Sequence, residues 1–226
     1  MKIAVLGTGM VGQALAGRLA ELGHEVTVGT RDVAGTMARA EPDGMGNPPY
    51  PVWAAAHPTV TLAGFAGATA DAELIVNATA GNVSMAALTA AGADHLAGKV
   101  LLDISNPLDH SRGFPPTLFV KDTDSLGEQI QAAFPDARVV KALNTLTASL
   151  MVNPRQLDDG RHTVFVAGND AAAKKIVTDL LETFGHTDVI DLGDITGARG
   201  AEMYLPLWLR LMGALSTASF NIKVVR

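Results

Sequence analysis

Short apolar runs alternate with amphipathic stretches along the chain, the pattern of strands buried on both faces of a sheet and covered by helices. Strands are predicted over 2–6, 25–29, 59–62, 74–78, 100–104, 138–142, 163–167 and 188–191. Residues 11–22 read as a helix with Val11, Leu15, Leu19 and Leu22 on one face. Residues 171–184 read as another, in which Ile176, Leu180 and Phe184 are spaced for burial and Asn169 or Asp170 suits the N-cap. Strands and helices in this alternation predict an α/β, doubly wound, mostly parallel sheet.

Three stretches interrupt the alternation. Residues 42–58 hold five of the eleven prolines with Tyr50 and Trp53, and are expected to form a structured loop. Residues 106–116 hold three more prolines, and Leu108, Phe114 and Leu118 are placed to pack over a pocket. The apolar stretch 205–218 contains Pro206 and Arg210 and is shorter than the roughly 20 residues of a bilayer span, so it is expected to be a core or interface helix. The apolar start of the chain is broken by Gly7, Gly9 and Gly12, unlike a secretory leader, and a cytoplasmic location without a membrane partner is expected.

Composition narrows the function classes. Hydrophobic residues at 48% against 18% charged predict a sizeable core. The net charge of -6, with no basic run longer than two residues, lacks the positive stripe a nucleic-acid partner needs. No cysteine is present, which removes disulfides, thiolate nucleophiles and thiolate metal sites. The histidines (His24, His57, His95, His110, His162 and His186) lack metal-ligand spacing, so no metal site is expected.

Gly7-Thr8-Gly9-Met10-Val11-Gly12 is a GxGxxG directly after a predicted strand and before a predicted helix. Gly7 permits the tight turn, Gly9 lets a pyrophosphate approach the backbone, and Gly12 lets helix and strand pack closely. The pyrophosphate then sits on the helix N-terminus, where free N–H groups favour an anion. The expected architecture is therefore Rossmann-type, with a dinucleotide-binding domain over 1–168 and a small C-terminal α/β extension over 169–226. The second strand ends Gly29-Thr30-Arg31-Asp32. Gly29 leaves space, Thr30 offers a hydroxyl, and Arg31 offers a planar guanidinium suited to a phosphate, which points to NADP(H) rather than NAD. Asp32 is read first as an N-cap, with ribose binding as its alternative, and Arg39 as a surface residue that adds charge at most.

In an open parallel sheet, ligands lie across the carboxyl ends of the strands. Three predicted strand ends carry small polar residues: Asn77-Ala78-Thr79, Ser105-Asn106-Pro107 and Lys141-Ala142-Leu143-Asn144-Thr145. Asn77, Ala78, Thr79, Ser105, Asn106, Pro107, Ala142 and Asn144 join the glycine loop, Thr30 and Arg31 as candidate cofactor contacts. Asn144, Thr145 and Lys141 are the acceptor-site candidates. Lys141 is the one isolated acid–base candidate, with a purely structural role, bonded to loop carbonyls or a carboxylate, as its alternative. So sparse an acid–base set suits hydride transfer between oriented rings.

These segments resemble the family of NADP-dependent deazaflavin (coenzyme F420) oxidoreductases. The likeness rests on residues 2–12, Gly23-His24-Glu25-Val26-Thr27-Val28-Gly29-Thr30-Arg31, Val139-Val140-Lys141-Ala142-Leu143-Asn144-Thr145, Phe165-Val166-Ala167-Gly168-Asn169-Asp170, the stretch 202–215 and Phe220-Asn221-Ile222-Lys223. The resemblance implies hydride transfer between NADPH and F420, with Thr30 and Arg31 on the 2′-phosphate and the C-terminal portion helping to form the acceptor cleft. It also implies a homodimer through the apolar face around Leu205, Trp208, Leu211 and Met212. The position after Lys-Ala-Leu, associated with histidine in deazaflavin users, is Asn144 here. That resembles the cytoplasmic reductase domain of membrane metalloreductases, which passes hydride to a flavin, so FMN or FAD stands as the alternative acceptor. A small carbonyl or imine substrate, or a non-catalytic NADP(H)-binding redox sensor, are the remaining alternatives. The long all-helical C-terminal domain of β-hydroxyacid dehydrogenases has no room after Gly168.

Overall fold

The computed structural model describes residues 1–42 and 46–226. Its strands are β1 (Lys2–Leu6), β2 (Glu25–Thr30), β3 (Thr61–Gly64), β4 (Leu74–Asn77), β5 (Val100–Asp103), β6 (Leu108–Asp109), β7 (Thr117–Leu118), β8 (Arg138–Ala142), β9 (Thr163–Ala167) and β10 (Asp188–Asp191). The predicted strands all fall in one 8-stranded sheet, ordered β10-β9-β8-β5-β4-β1-β2-β3. From β3 to β8 the neighbours run parallel, with Ile3 opposite both Val26 and Leu74. β9 then pairs antiparallel with the end of β8, and β10 follows β9 in parallel. The mostly parallel α/β sheet expected from the sequence is the observed one.

Alternation along β1 shows why both faces need helices. Ile3 and Val5 point into a core shared with Leu15 and Leu19 of the helix Met10–Glu21 and Val177 and Leu181 of the helix Ala171–Phe184. Ala4 and Leu6 point the other way, toward Leu88 of the helix Gly81–Ala91 and Leu126 and Ile130 of the helix Leu126–Ala133. All four side chains are buried, so β1 reads in sequence as one continuous apolar run.

Several local expectations shift. In Ala171–Phe184 the buried stripe is Ala173, Val177, Leu180, Leu181 and Phe184, while Ile176 is exposed. Asp170, not Asn169, caps that helix by accepting from the Ala173 N–H at 2.7 Å. β3 begins at Thr61 because Val60 is held in a turn by the His57 carbonyl. The stretch 42–58 contains a helix, Tyr50–Ala56, with Tyr50 buried and Trp53 stacked on His57 at 4.3 Å; residues 43–45 of that expected loop lie outside the described residues. The expected loop over 106–116 is closed by the β6–β7 pair, with Leu108 opposite Leu118. The stretch 205–218 forms the helix Leu205–Leu215, and among the described residues no helix is long and apolar enough to cross a membrane.

After that helix the chain straps back along β9. Trp208 stacks on Phe220, Thr163 donates to the Ile222 carbonyl, and Lys223 and Arg226 pair with Asp188 at 2.7 and 2.8 Å. Asn221 of this strap contacts His162, and edge-on to that ring lies His186, whose Nε2 is 2.9 Å from the Met151 carbonyl and whose pKa burial pushes down to about 4. A folded-state value below 6.5 means the unfolded chain binds more protons over that interval. The stabilisation is therefore complete above pH 6.5 and is lost as pH falls through about 4, an effect of about 2–4 kcal/mol. We predict that His186→Gln, which keeps a donor but cannot be protonated, flattens the loss of Tm between pH 6.5 and 4 in thermal melts. An unchanged acid loss would assign that loss to other groups.

Candidate functional site

The glycine loop follows β1 and opens the helix Met10–Glu21. Gly7 has φ 120°, a left-handed conformation in which any side chain is strained, and a Cβ there would lie 2.7 Å from the Ala78 carbonyl oxygen. A Cβ on Gly12 would lie 2.1 Å from the Gly7 carbonyl oxygen. A Cβ on Gly9 would meet nothing within 4 Å. Two glycines are thus consumed by packing, and the third leaves an open approach to the first N–H groups of the helix, which no side chain caps. Gln13 fixes the loop from the helix side by donating to the Thr8 carbonyl at 2.9 Å.

Two clefts flank the loop and share Gly9, Ala78, Thr79 and Ala80. The larger, about 670 Å³, extends over the end of β2. Its far end presents Arg31 and Arg39, and Arg39 Nη1 reaches Thr8 Oγ1 at 3.1 Å. Thr30 and Thr36 line the same cleft with hydroxyls 2.8 Å apart, so one hydroxyl proton of the pair stays available to a ligand. Asp32 is turned to its helix, where its carboxylate accepts from the Gly35 N–H at 3.0 Å as an N-cap. Asp32 still lines this cleft, so one capping carboxylate stands beside the two guanidinium groups. The opposite wall is Val83, Ala86, Ala87 and Ala90, a face of small apolar side chains on Gly81–Ala91. Gly29 plays a different part from the one expected. Its missing Cβ makes room for Leu6 and Phe65 rather than for a ligand, with Leu6 only 2.6 Å from the Cβ position.

The smaller cleft, about 340 Å³, lies over the ends of β4 and β5, lined by Met10, Val11, Asn82, Ser105, Asn106 and His110 among others. Thr8, Thr30 and Arg31 thus line one cleft, Met10, Val11, Ser105 and Asn106 the other, and Ala78 and Thr79 both. Asn77, Pro107, Ala142, Asn144, Thr145 and Lys141 line neither. Asn77 is fully buried, donating to Asp103 at 2.9 Å and accepting from Thr79, so it braces the strand ends from below. Pro107 contributes its carbonyl to the Phe119 N–H, and Ala142 packs in the core.

Lys141 departs most from its acid–base reading. Its side chain is 0% exposed, with Nζ at 2.8 Å from both Asp103 and Glu202 and donating to the Ser105 carbonyl. Burial alone lowers a lysine pKa, but Asp103 and then Glu202 outweigh it and hold the ammonium above its usual range. A permanently charged, fully enclosed ammonium is a brace and not a proton shuttle. Just beyond it Leu143, at φ 61°, turns the chain so that Asn144 donates to the Ala201 carbonyl and to Asn106 Oδ1, both at 3.0 Å. Asn144 thus reaches the smaller cleft only through Asn106.

Sequence reasoning under-weighted Arg39 and missed the Val83–Ala90 wall and the place of His110. Small residues at helical spacing over 83–90 were the available signal for the wall; His110 had none, because a hairpin brings it to the cleft.

Residues 2–107 match the family described as NADP oxidoreductase, coenzyme F420-dependent. A crystal structure of a candidate F420-dependent NADP reductase from Arthrobacter sp. FB24 is 64% identical, superposes with a TM-score of 0.96 and covers 100% of both chains. The F420-dependent NADP reductase of Methanothermobacter marburgensis is 29% identical over 93% of this chain and 92% of its own. The rat metalloreductase STEAP3 is 28% identical over 92% of this chain, which spans only 38% of that protein's length.

The glycine geometry separates folding from binding. Gly9→Ala is expected to leave Tm unchanged while weakening dinucleotide binding by tenfold or more in a fluorescence titration. Gly12→Ala is expected to cost about 1–3 kcal/mol of stability in chemical denaturation, the range for overpacking. Tight binding by Gly9→Ala would place the pyrophosphate elsewhere.

Proposed function

The chain belongs to the coenzyme F420-dependent NADP oxidoreductase family, and on that premise we propose that it transfers hydride between NADPH and coenzyme F420. The observation that carries the NADP half is the Arg31 and Arg39 pair at the end of the larger cleft, beside a single carboxylate, Asp32, that is engaged as an N-cap. A ribose 2′-phosphate meets two guanidinium groups and a threonine hydroxyl there, and their two positive charges outweigh the one negative charge of the capping Asp32. The open Gly9 position receives the pyrophosphate, and the alanine-rich wall gives the adenine a flat apolar surface. Bound NADPH supplies the hydride from its dihydronicotinamide ring. The nicotinamide end occupies the smaller cleft, where Ser105 and Asn106 stand at its floor and Asn144 holds Asn106 in place.

Support for F420 as the acceptor comes from two relatives named as F420-dependent NADP reductases, which match 93% of the chain. FMN and FAD, the alternative expected from Asn144, draw no support from them. We further propose that residues 169–226 complete the acceptor side, and that the outer face of Leu205–Leu215 forms a homodimer contact. Leu205 itself is buried in the subunit, which leaves Leu207, Trp208, Leu211 and Met212 toward the surface.

Two measurements test this reading. Arg31→Ala and Arg39→Ala should each weaken NADPH by about 1.5–3 kcal/mol, the range for a charge-assisted hydrogen bond, with little change for NADH. Equal losses for both nucleotides would remove the 2′-phosphate assignment. Anaerobic stopped-flow mixing with F420 should show rapid loss of the nicotinamide absorbance; tight NADPH binding with no oxidation would refute F420 as acceptor.

A further inference from the structure

Reduction by NADPH delivers a proton as well as a hydride. The hydride takes the electron pair of the nicotinamide C4–H bond to an acceptor carbon, so NADPH is oxidised and the acceptor reduced by two electrons. The electron pair displaced in the acceptor settles on a heteroatom, which must gain one proton. Lys141 cannot provide it, being fully enclosed and permanently paired.

The polar side chains lining the smaller cleft are nearly all committed. Ser105 donates to Asp103 at 2.7 Å, Thr79 donates to Asn77 at 2.7 Å, and Asn106 is doubly tied to Asn144. Among the described residues lining that cleft, His110 is the one titratable side chain, and its ring makes no hydrogen bond to a described residue. It stands on the β6–β7 hairpin, whose base is pinned by the Leu108–Leu118 pair and by the Phe119 N–H on the Pro107 carbonyl. The ring is therefore held at the cleft by its backbone yet remains exposed, so it can regain a proton from solvent. Beside it, Asp109 is kept below the usual carboxylate range, chiefly by the backbone and side-chain hydrogen bonds of Ser111 and then by Arg112 and His110 itself. A carboxylate and the Arg112 guanidinium thus share the hairpin with the ring. The helix Gly81–Ala91, which contributes Asn82 to the same cleft, carries no charged residue.

We infer that the imidazolium N–H of His110 donates the proton that accompanies hydride transfer, and that the imidazole takes it back in the reverse direction. This rests on the NADPH-dependent reduction proposed above. The general acid is then supplied by a surface hairpin and not by the strand ends that hold the dinucleotide.

The test uses the full chain. With F420 as acceptor, His110→Gln should slow NADPH oxidation about 100-fold, the lower range for loss of a general acid. NADPH affinity should stay within about twofold, since the ring is assigned no role in holding the nucleotide. Added imidazole should partly rescue His110→Ala. In the NMR spectrum of the wild-type protein, the His110 ring resonance should shift when NADP⁺ is added, a readout independent of turnover. An unslowed His110→Gln in a preparation whose wild type is active overturns this inference alone, as does a ring resonance that NADP⁺ leaves unmoved while it binds. A wild type that binds NADPH but passes no hydride to F420 overturns the parent reading and this one together.

Discussion

The buried ammonium of Lys141 is the constraint around which the ligand edge is organised. Desolvating a charge in a protein interior costs several kcal/mol, and only close, well-oriented partners offset it. Lys141 on β8 therefore fixes three other elements. Asp103 anchors the end of β5, and Glu202 anchors the C-terminal helices. Glu202 in turn accepts from the Leu126 and Gly127 N–H groups at 2.8 and 3.0 Å, seating the start of the helix Leu126–Ala133. Asp103 also accepts from Asn77 and Ser105. No member can shift without leaving an enclosed charge unpaired, so the floor beneath Ser105 and Asn106 is rigid before any ligand arrives.

Steric contact does for the phosphate half what charge does for the other. Gly12 sits against the Gly7 carbonyl, Gly7 against Ala78, and Gly29 against Leu6 and Phe65. These approaches lock β1, β2, β4 and the first helix at a spacing no larger residue permits. Gly9 alone is spared, so the backbone presents a free surface at one place. The region that matches the family, residues 2–107, contains the glycine loop, both arginines and the smaller cleft's lining as far as Asn106.

Much of this was legible in the sequence. The strands of the sheet announced themselves because burial on two faces makes each a continuous apolar run, and GxGxxG is read from local sterics alone. Asp32 was legible as a cap for the same reason, since its partner is three residues away. What stayed hidden depends on distant partners. Lys141 could not be told from a catalytic lysine until Glu202 came beside it. Arg39 looked like a surface residue until the helix Val33–Met37 carried it back over Thr8. The reversal of β9 was hidden because an antiparallel and a parallel central strand bury the same side chains. Leu180 and Phe184 of the expected stripe are buried, but a step of four back from Leu180 overshoots the 3.6-residue turn, and Val177 takes the buried place expected of Ile176.

That reversal at β9 also shapes the electric field along the sheet. Where strands run parallel, each following helix begins at the ligand edge and brings its positive N-terminal end there, as Met10–Glu21 and Gly81–Ala91 do. β9 runs the other way, so Ala171–Phe184 starts at the far edge and returns with its carbonyl end toward the ligand side. Helix N-termini therefore gather at the ligand edge over β1 and β4, whereas a helix C-terminus faces that side beyond β8. Helix dipoles alone thus favour an anion over the first half of the sheet and not over the second.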